Sequence, residues 1–594
     1  MKRNETKGLL QLLTPEGERL MQAPDATPWD VYPRPTMRRP SFLCLNGSWD
    51  FGVVRRGDAP AYGAQIRVPF VPESILSGVG RQTEADDLLC YRRRLALPND
   101  FKEGRILLHV DAADQIAEVL LNGKSVGSHC GGYERFTFDV TEAVDRDAQN
   151  TLEILVWDEL DRKVLPYGKQ CRARGGMWYT PISGIWQSVW MECVPREYIQ
   201  SIDVRTVKNG AQITVKTNSG APADGRIVLR LPEGDRFFAI ADGCAFVAVE
   251  EPILWSPECP HLYEIAVEVG EDRVESYFAL RTLEIKEYQG TPRLCLNGKP
   301  YFFHGLLDQG YFSDGIFLPA DADGYRRDIL AAHELGFNML RKHIKLEPEV
   351  FYYECDRLGM VVFQDMVNNG DYSFFRDTVL PTVGIKRRSD KRMHRDPETR
   401  AAFLDGMKKT VERLRFHPSV CYWTIFNEGW GQFDHAAAYE ALREIDDTRF
   451  VDSVSGWFTP PRGRSFASDV ESIHVYFKPV RAKKWEKPLV LSEFGGYSTR
   501  VEGHCFNPDH SYGYRTMKSC EELGEALERL YSEEILPLAK RGLCADVYTQ
   551  LTDVEDEING LITYDRRVTK VDAVRMCRIA KALRAASEEQ SGEN

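Results

Sequence analysis

The sequence predicts two β-sandwiches, the first of jelly-roll type and the second immunoglobulin-like, followed by a C-terminal (β/α)8 TIM barrel. Three observations carry this expectation. At 594 residues the chain is too long for one hydrophobic core, so it is multidomain. Up to about residue 285 its texture is all-β, with short apolar runs broken by turn residues. Beyond that point apolar strands alternate with amphipathic helices, and eight strand candidates match the count that a closed barrel needs.

The first region, 1–194, carries apolar runs such as 105–110 and 151–157. Asn122-Gly123, between 116–121 and 124–126, is a hairpin signal because both turn positions must tolerate positive φ. The second region, 195–285, has candidate strands at 212–215, 226–231, 246–249 and 262–269, a length and texture suited to an immunoglobulin-like sandwich. Proline-rich Trp255-Ser256-Pro257-Glu258-Cys259-Pro260 reads as a loop or sheet edge, since proline cannot donate to a central ladder.

The third region, 286–594, follows with a second hairpin signal at Asn297-Gly298. Phe403, Met407, Val411 and Leu414 fall at helical spacing, as do Leu523, Leu527 and Leu530. Candidate barrel strands are 301–305, 338–341, 360–365, 420–426, 450–453, 473–476, 489–493 and 546–550. Their C-terminal ends carry polar residues: Arg341 and His343 after the second, Asp365 on the third, Asn427-Glu428 on the fourth, His474 and Tyr476 at the sixth, Glu493 on the seventh. Core packing does not explain charge at these places, because a buried unpaired charge costs several kcal/mol; a functional cleft does.

Composition narrows what that cleft serves. A hydrophobic fraction of 43% and a charged fraction of 28% are ordinary for a folded soluble chain. A net charge of -13 argues against a nucleic-acid partner, which needs a concentrated basic surface. Lys386-Arg387-Arg388 and Lys391-Arg392 read as solvated loop charge. The basic N-terminus, 1–10, lacks the apolar core of a secretory signal, and no apolar run approaches the roughly 20 residues that cross a bilayer, so no membrane partner and a cytoplasmic location are expected. The 14 cysteines are scattered singly, without C-x-x-C or zinc spacing, and read as reduced core residues; no metal is expected.

Trp423-Thr424-Ile425-Phe426-Asn427-Glu428-Gly429-Trp430 runs from an apolar strand into a carboxylate and a glycine, and Pro488-Leu489-Val490-Leu491-Ser492-Glu493-Phe494-Gly495-Gly496 repeats the design. The glycines are expected to leave room for a bulky ligand. Two carboxylates at one barrel mouth are what glycoside hydrolysis needs: one protonates the leaving oxygen while the other stabilises or attacks an oxocarbenium-like carbon.

These residues carry a resemblance. Tyr179-Thr180-Pro181-Ile182-Ser183-Gly184-Ile185-Trp186-Gln187, Leu254-Trp255-Ser256-Pro257 with Leu262-Tyr263, Asn427-Glu428-Gly429 and Ser492-Glu493-Phe494-Gly495 occur in the order found in glycoside hydrolase family 2, which includes β-galactosidases, β-glucuronidases and β-mannosidases. The resemblance implies a sugar-binding-like first domain and a retaining exo-β-glycosidase acting on a small glycoside or oligosaccharide. It implies Glu428 as acid/base, Glu493 as nucleophile and Asn427 on the sugar 2-hydroxyl. It calls for no cofactor and is compatible with a homo-oligomer.

Around that pair, Arg341 is expected beneath Glu493, keeping it ionised, with Tyr476 donating to the same carboxylate. His343 and His474 either contact the sugar and its neighbours or are hydrogen-bonded structural histidines. Asp308 and Asp365 either accept sugar hydroxyls or serve a helix cap or ion pair. Trp430, Trp178 and Tyr548 either stack on sugar faces or pack. The Asn-x-Lys element of family glucuronidases is absent from 560–567, although Arg566 or Lys570 offers a carboxylate another route. A neutral terminal sugar is therefore expected, β-galactoside first, with β-glucuronidase or another family β-glycosidase as alternative. A non-hydrolytic carbohydrate-binding or transglycosylating protein on the same fold is the alternative of another class.

Overall fold

The computed structural model describes residues 9–380, 389–456, 466–481 and 485–589. The basic cluster at 386–388 lies outside them. No helix among the described residues is long and apolar enough to cross a membrane.

The N-terminal chain forms a six-stranded antiparallel sheet facing a four-stranded one. The local cause is period-two burial: strand Asn150–Trp157 alternates buried and half-buried side chains along its whole length, so one face meets the core formed with Trp49, Tyr91 and Val119. The predicted hairpin is present, pairing Leu121 with Lys124 across Asn122 (φ 52°) and Gly123 (φ 75°). The next sandwich packs a three-stranded sheet on a four-stranded one. Its strands Ile199–Val207, Arg236–Ile240 and Asp272–Phe278 were not among the predicted ones: Asp203, Arg205 and Arg273 interrupt the apolar runs of the first and third, and the second exposes Phe237, so its apolar residues do not mark one face. Trp255, wholly buried, leaves the sandwich to join a core with Phe303, Val361 and Tyr422, and its indole N–H donates to the Asp356 carbonyl at 2.7 Å. Burying an indole contributes roughly 4–6 kcal/mol as an upper bound, so this loop anchors the second sandwich to the barrel.

Eight parallel strands form the barrel: β1 (Phe303–Asp308), β2 (Met339–Lys342), β3 (Val361–Asp365), β4 (Val420–Asn427), β5 (Phe450–Ser455), β6 (Glu471–Val475), β7 (Leu489–Gly495) and β8 (Leu543–Thr549). The ladder runs β5-β4-β3-β2-β1-β8-β7-β6, and the Ser455 and Ser472 hydroxyls meet at 3.2 Å across the remaining β5/β6 seam. Helix α1 (Pro397–Leu414) begins where Asp396 accepts from the Thr399 N–H and Pro397 presets the first turn; it buries the predicted Phe403, Met407, Val411 and Leu414. Helix α2 (Cys520–Leu530) is capped by Ser519 and buries Leu523, Leu527 and Leu530. Strand β1 extends beyond the predicted 305 to place Asp308 at its C-terminal end, on the face where the other polar strand ends gather.

The first sandwich reaches this face through residues 158–183. Tyr133 and Trp186 share a core with Tyr311 and Phe317 from the barrel side. The Tyr167 hydroxyl donates to the Gly370 carbonyl at 2.8 Å, and the Thr180 N–H donates to Glu555 at 2.9 Å. One loop of the sandwich is thereby laid across the segments that follow β3 and β8.

Candidate active site

Arg341, on β2 and 1% exposed, organises the centre. Its Nε donates to Asp365 Oδ1 at 3.0 Å, Nη1 to Glu493 Oε1 at 3.1 Å and to the Ser492 carbonyl at 2.8 Å, and Nη2 to Asn427 Oδ1 at 2.9 Å. A planar guanidinium fork can tie the ends of β3, β4 and β7 to β2 in this way, whereas a lysine ammonium cannot. The carboxylates push its pKa further upward, against its own burial. Because Asn427 Oδ1 is taken by Arg341, its Nδ2 remains a buried donor without a partner among the described residues.

Glu493 also accepts from the Tyr476 hydroxyl, which lies 3.0 Å from Thr549 Oγ1. Burial raises the Glu493 pKa; His474 and Arg341 oppose the rise, and Glu428 adds to it. Glu428 follows β4 in the left-handed region (φ 50°) and is pushed up to about 7 by burial, with Lys169 the strongest of the charges that draw it back. His474 bridges the pair: its Nδ1 lies 2.8 Å from Glu428 Oε1 and 3.6 Å from Glu493 Oε2. His474 Nε2 meets Ser455 Oγ at 2.8 Å and accepts from Arg341 Nη1 at 3.4 Å, so Nδ1 carries the proton and donates to Glu428. One donor atom from each of Glu428, His474 and Glu493 lies within 4.8 Å of the others. Such a trio can trap a proton between two carboxylates, and is close enough to share a cation.

His343 donates from Nδ1 to Gln309 Oε1 at 2.9 Å, leaving Nε2 as an acceptor 3.6 Å from Glu493. Burial, with Lys169 and Arg341 nearby, drives its pKa well below the ordinary value, so it is neutral. Asp365 Oδ2 accepts no hydrogen bond among the described residues and lies 3.9 Å from His343 Nε2, and burial raises the Asp365 pKa. The structure thus brings Asn427, Glu428, His343, Asp365, His474, Tyr476, Glu493 and Arg341 into one cluster.

Three expectations are corrected. Tyr548 is wholly buried: its ring packs edge-on to Phe494, and its hydroxyl accepts from the Tyr497 N–H at 3.1 Å, so it presents no face to a sugar. Asp308 is committed to Lys342 Nζ at 2.6 Å and to the Gly310 N–H at 2.9 Å, which makes it a structural ion pair. Gly495 and Gly496 do not leave space for a ligand. A Cβ at Gly495 would lie 2.3 Å from the Tyr548 ring and one at Gly496 2.2 Å from that of Tyr514, so these glycines make room for tyrosines. Trp430 is 2% exposed and stacks on Trp178 at 5.2 Å, with its indole N–H lacking a partner among the described residues.

Sequence reasoning missed Lys169, Tyr514 and Gln550. Tyr514 stacks on Tyr476 at 3.9 Å, and Gln550 accepts from Gln309 while its own amide donor has no partner among the described residues. Lys169 arrives from the first sandwich. The available signal was the long stretch 158–183 with little secondary structure, a length that usually marks a functional loop.

Comparison with known proteins agrees with this arrangement. Residues 289–571 match the family model described as glycosyl hydrolases family 2, TIM barrel domain; residues 81–168 match the glycosyl hydrolase 2 galactose-binding domain-like model and 197–281 a further glycosyl hydrolases family 2 model. A β-galactosidase of Thermoanaerobacter pseudethanolicus is 23% identical over 380 residues, covering 60% of this chain and 46% of its own length. A β-glucuronidase of Bacteroides fragilis is 23% identical over 461 residues, covering 70% and 61%. The chain therefore spans about half to three fifths of these relatives. Two solved structures share the fold: a β-D-glucuronidase of Dictyoglomus thermophilum (TM-score 0.69, 19% identity, 95% and 99% of the two chains) and a β-galacturonidase of Eisenbergiella tayi (TM-score 0.66, 17% identity, 94% and 99%). With three family models in sequence along two sandwiches and a barrel, the chain belongs to glycoside hydrolase family 2.

Proposed function

We propose that this protein is a retaining exo-β-glycosidase that releases a terminal β-linked galactoside or uronide, with regions 1–194, 195–285 and 286–594 as its domains. The observation that carries the reading is the proximity of Glu428 and Glu493, which have carboxylate oxygens within 4.8 Å of each other. Retaining pairs stand about 5–5.5 Å apart, whereas inverting pairs need roughly 6.5–9.5 Å to admit a water.

The electrostatics support separate roles. Burial keeps Glu428 protonated to about pH 7, and the His474 N–H on Oε1 leaves the Glu428 proton to Oε2, free to reach the glycosidic oxygen. Glu493, braced by Arg341 and Tyr476, attacks the anomeric carbon as the leaving oxygen takes that proton. Formation of the glycosyl ester removes the charge on Glu493 that helped hold the proton on Glu428. Glu428 then becomes the base that activates water for the second displacement. Asn427 Nδ2, without a hydrogen-bond partner among the described residues, is a donor suited to the sugar 2-hydroxyl. His343 Nε2 and Asp365 Oδ2 are acceptors for others.

Relatives named β-galactosidase and β-glucuronidase both support the substrate range. A panel of aryl β-glycosides, with proton NMR of the first-formed sugar, tests it. The expected first product is the β-anomer, and Glu493→Ala is expected to lose turnover. An α-anomer formed first, or a Glu493→Ala protein as active as wild type, would overturn the mechanism. Products dependent on acceptor concentration would favour transglycosylation, and binding without turnover would favour a carbohydrate-binding protein.

A further inference from the structure

Three buried lysines at the barrel mouth and its flanks are fully partnered. Lys342 pairs with Asp308 at 2.6 Å and Glu347 at 2.9 Å. Lys345 meets Glu347 at 2.9 Å and donates to two carbonyls, and Lys570 pairs with Asp553 at 2.7 Å. Lys169 is also buried, at 6% exposure, yet no hydrogen bond or ion pair to its ammonium occurs among the described residues. It lies 5.3 Å from the Tyr179 ring centroid and 5.9 Å from that of Trp430, two residues beyond Glu428. An unpaired buried cation costs several kcal/mol unless something compensates it.

Its place is well supported. The Lys169 carbonyl accepts from the Tyr179 N–H at 3.1 Å, the preceding Gly168 N–H donates to the Asn368 carbonyl at 3.4 Å, and a Cβ at Gly168 would press on the Ile344 carbonyl at 2.9 Å. The loop thus hangs from the segments after β2 and β3, and its lysine is aimed toward the cluster. The charge is felt at both Glu428 and His343, whose pKa values it lowers. Two further donors beside the cluster, Trp430 Nε1 and Gln550 Nε2, are also buried without acceptors among the described residues.

We propose that Lys169, delivered by the first sandwich, is the specificity-determining residue that receives a carboxylate carried by the glycoside. The proposal rests on the glycosidase reading and narrows its substrate to an acidic one. The carboxylate has two sources, C6 of a terminal uronic acid or the leaving group. The route differs from those offered by Arg566 and Lys570, which are taken by Asp328 at 3.1 Å and by Asp553.

The test compares kcat/KM within matched pairs for wild type, Lys169→Met and Lys169→Arg. The glycone arm uses 4-nitrophenyl β-glucuronide against β-glucoside and β-galacturonide against β-galactoside. The leaving-group arm uses 4-carboxyphenyl β-galactoside against its neutral methyl ester. In one arm Lys169→Met should lower the acidic-to-neutral ratio by roughly 10- to 100-fold, the worth of a charge-assisted hydrogen bond, and Lys169→Arg should restore much of it. A purely structural role, or one confined to the proton affinity of Glu428, moves both members of a pair together and leaves the ratio alone; that result overturns the proposal.

Tryptophan fluorescence titrated with free glucuronate, galacturonate, glucose and galactose keeps the test independent of turnover. Lys169-dependent preference for the acids in a protein that hydrolyses nothing would sustain Lys169 as the carboxylate site and sink the glycosidase reading. Hydrolysis of neutral and acidic members alike, with no Lys169-dependent preference, would sink this proposal alone, and neither binding nor hydrolysis would sink both. Should Lys169→Met fail to fold, Lys169→Gln, which removes the charge but keeps a polar side chain, decides by the same ratio: a ratio equal to wild type overturns the proposal and a fall of roughly tenfold or more sustains it.

Discussion

Glu428 gives a prediction in which stability and catalysis must disagree. Its pKa rises from an ordinary 4.5 to about 7 because the folded protein withdraws it from water. A shift of that size corresponds to about 3 kcal/mol between its two protonation states. The sign follows from proton counting. Between the unfolded value and about pH 7 the native state binds the proton and the unfolded chain does not, so stability is present at low pH and is lost as pH rises through that window. Glu428→Gln removes the loss. Thermal denaturation at pH 5 and pH 8 should show the variant gaining on wild type as pH rises, by up to about 3 kcal/mol, while its kcat on glycosides with poor leaving groups falls by about 100-fold or more. In wild type the alkaline limb of kcat/KM should fall about tenfold per pH unit above pH 7. A variant whose stability gap to wild type is the same at both pH values, or an alkaline limb displaced beyond pH 9, would refute a buried, proton-holding Glu428.

Other perturbations separate catalytic from structural roles. Arg341→Lys keeps the charge but loses the fork that holds Asp365, Asn427 and Glu493, so kcat/KM should fall by roughly 100-fold with a lowered melting temperature, measured on the same preparation. Asp308→Asn weakens its pair with Lys342 and should destabilise the fold by about 2–4 kcal/mol in denaturant titration, with kcat/KM within a few-fold of wild type; a selective rise in KM would return Asp308 to the sugar. Gly495→Ala pairs a φ of +82° with a Cβ 2.3 Å from the Tyr548 ring, so little folded protein should be recovered; Tyr548→Phe, which loses only the bond to Tyr497, should cost about 1 kcal/mol and leave turnover intact.

The order of domains, the eight barrel strands and the two glutamates at strand ends were legible from the sequence because each depends on local pattern. Period two makes a strand, period 3.6 an amphipathic helix, and a carboxylate closing an apolar strand marks a barrel mouth. Asn427, Arg341 and Tyr476 were legible for the same reason, lying at or just beyond strand C-termini. The use each polar group makes of its neighbours was not. Arg341 meets Glu493 across 152 residues of sequence, and no local pattern encodes that distance or the proximity of Glu428 to Glu493. Asp308 and Asp365 look alike at strand ends, yet a lysine one strand away occupies the first, while the second keeps an oxygen without a hydrogen bond among the described residues. Tyr548 read as either a stacking platform or a packed ring, and Gly495 of β7 lets it sink into the core. Lys169 lies outside the barrel's sequence, and only the packing of its loop on the barrel turns a loop lysine into a buried cation beside Glu428 with no hydrogen-bond partner among the described residues. Sequence determines what chemistry each strand end can offer; tertiary structure decides which offers are already taken, because pairing and desolvation depend on neighbours distant in the chain.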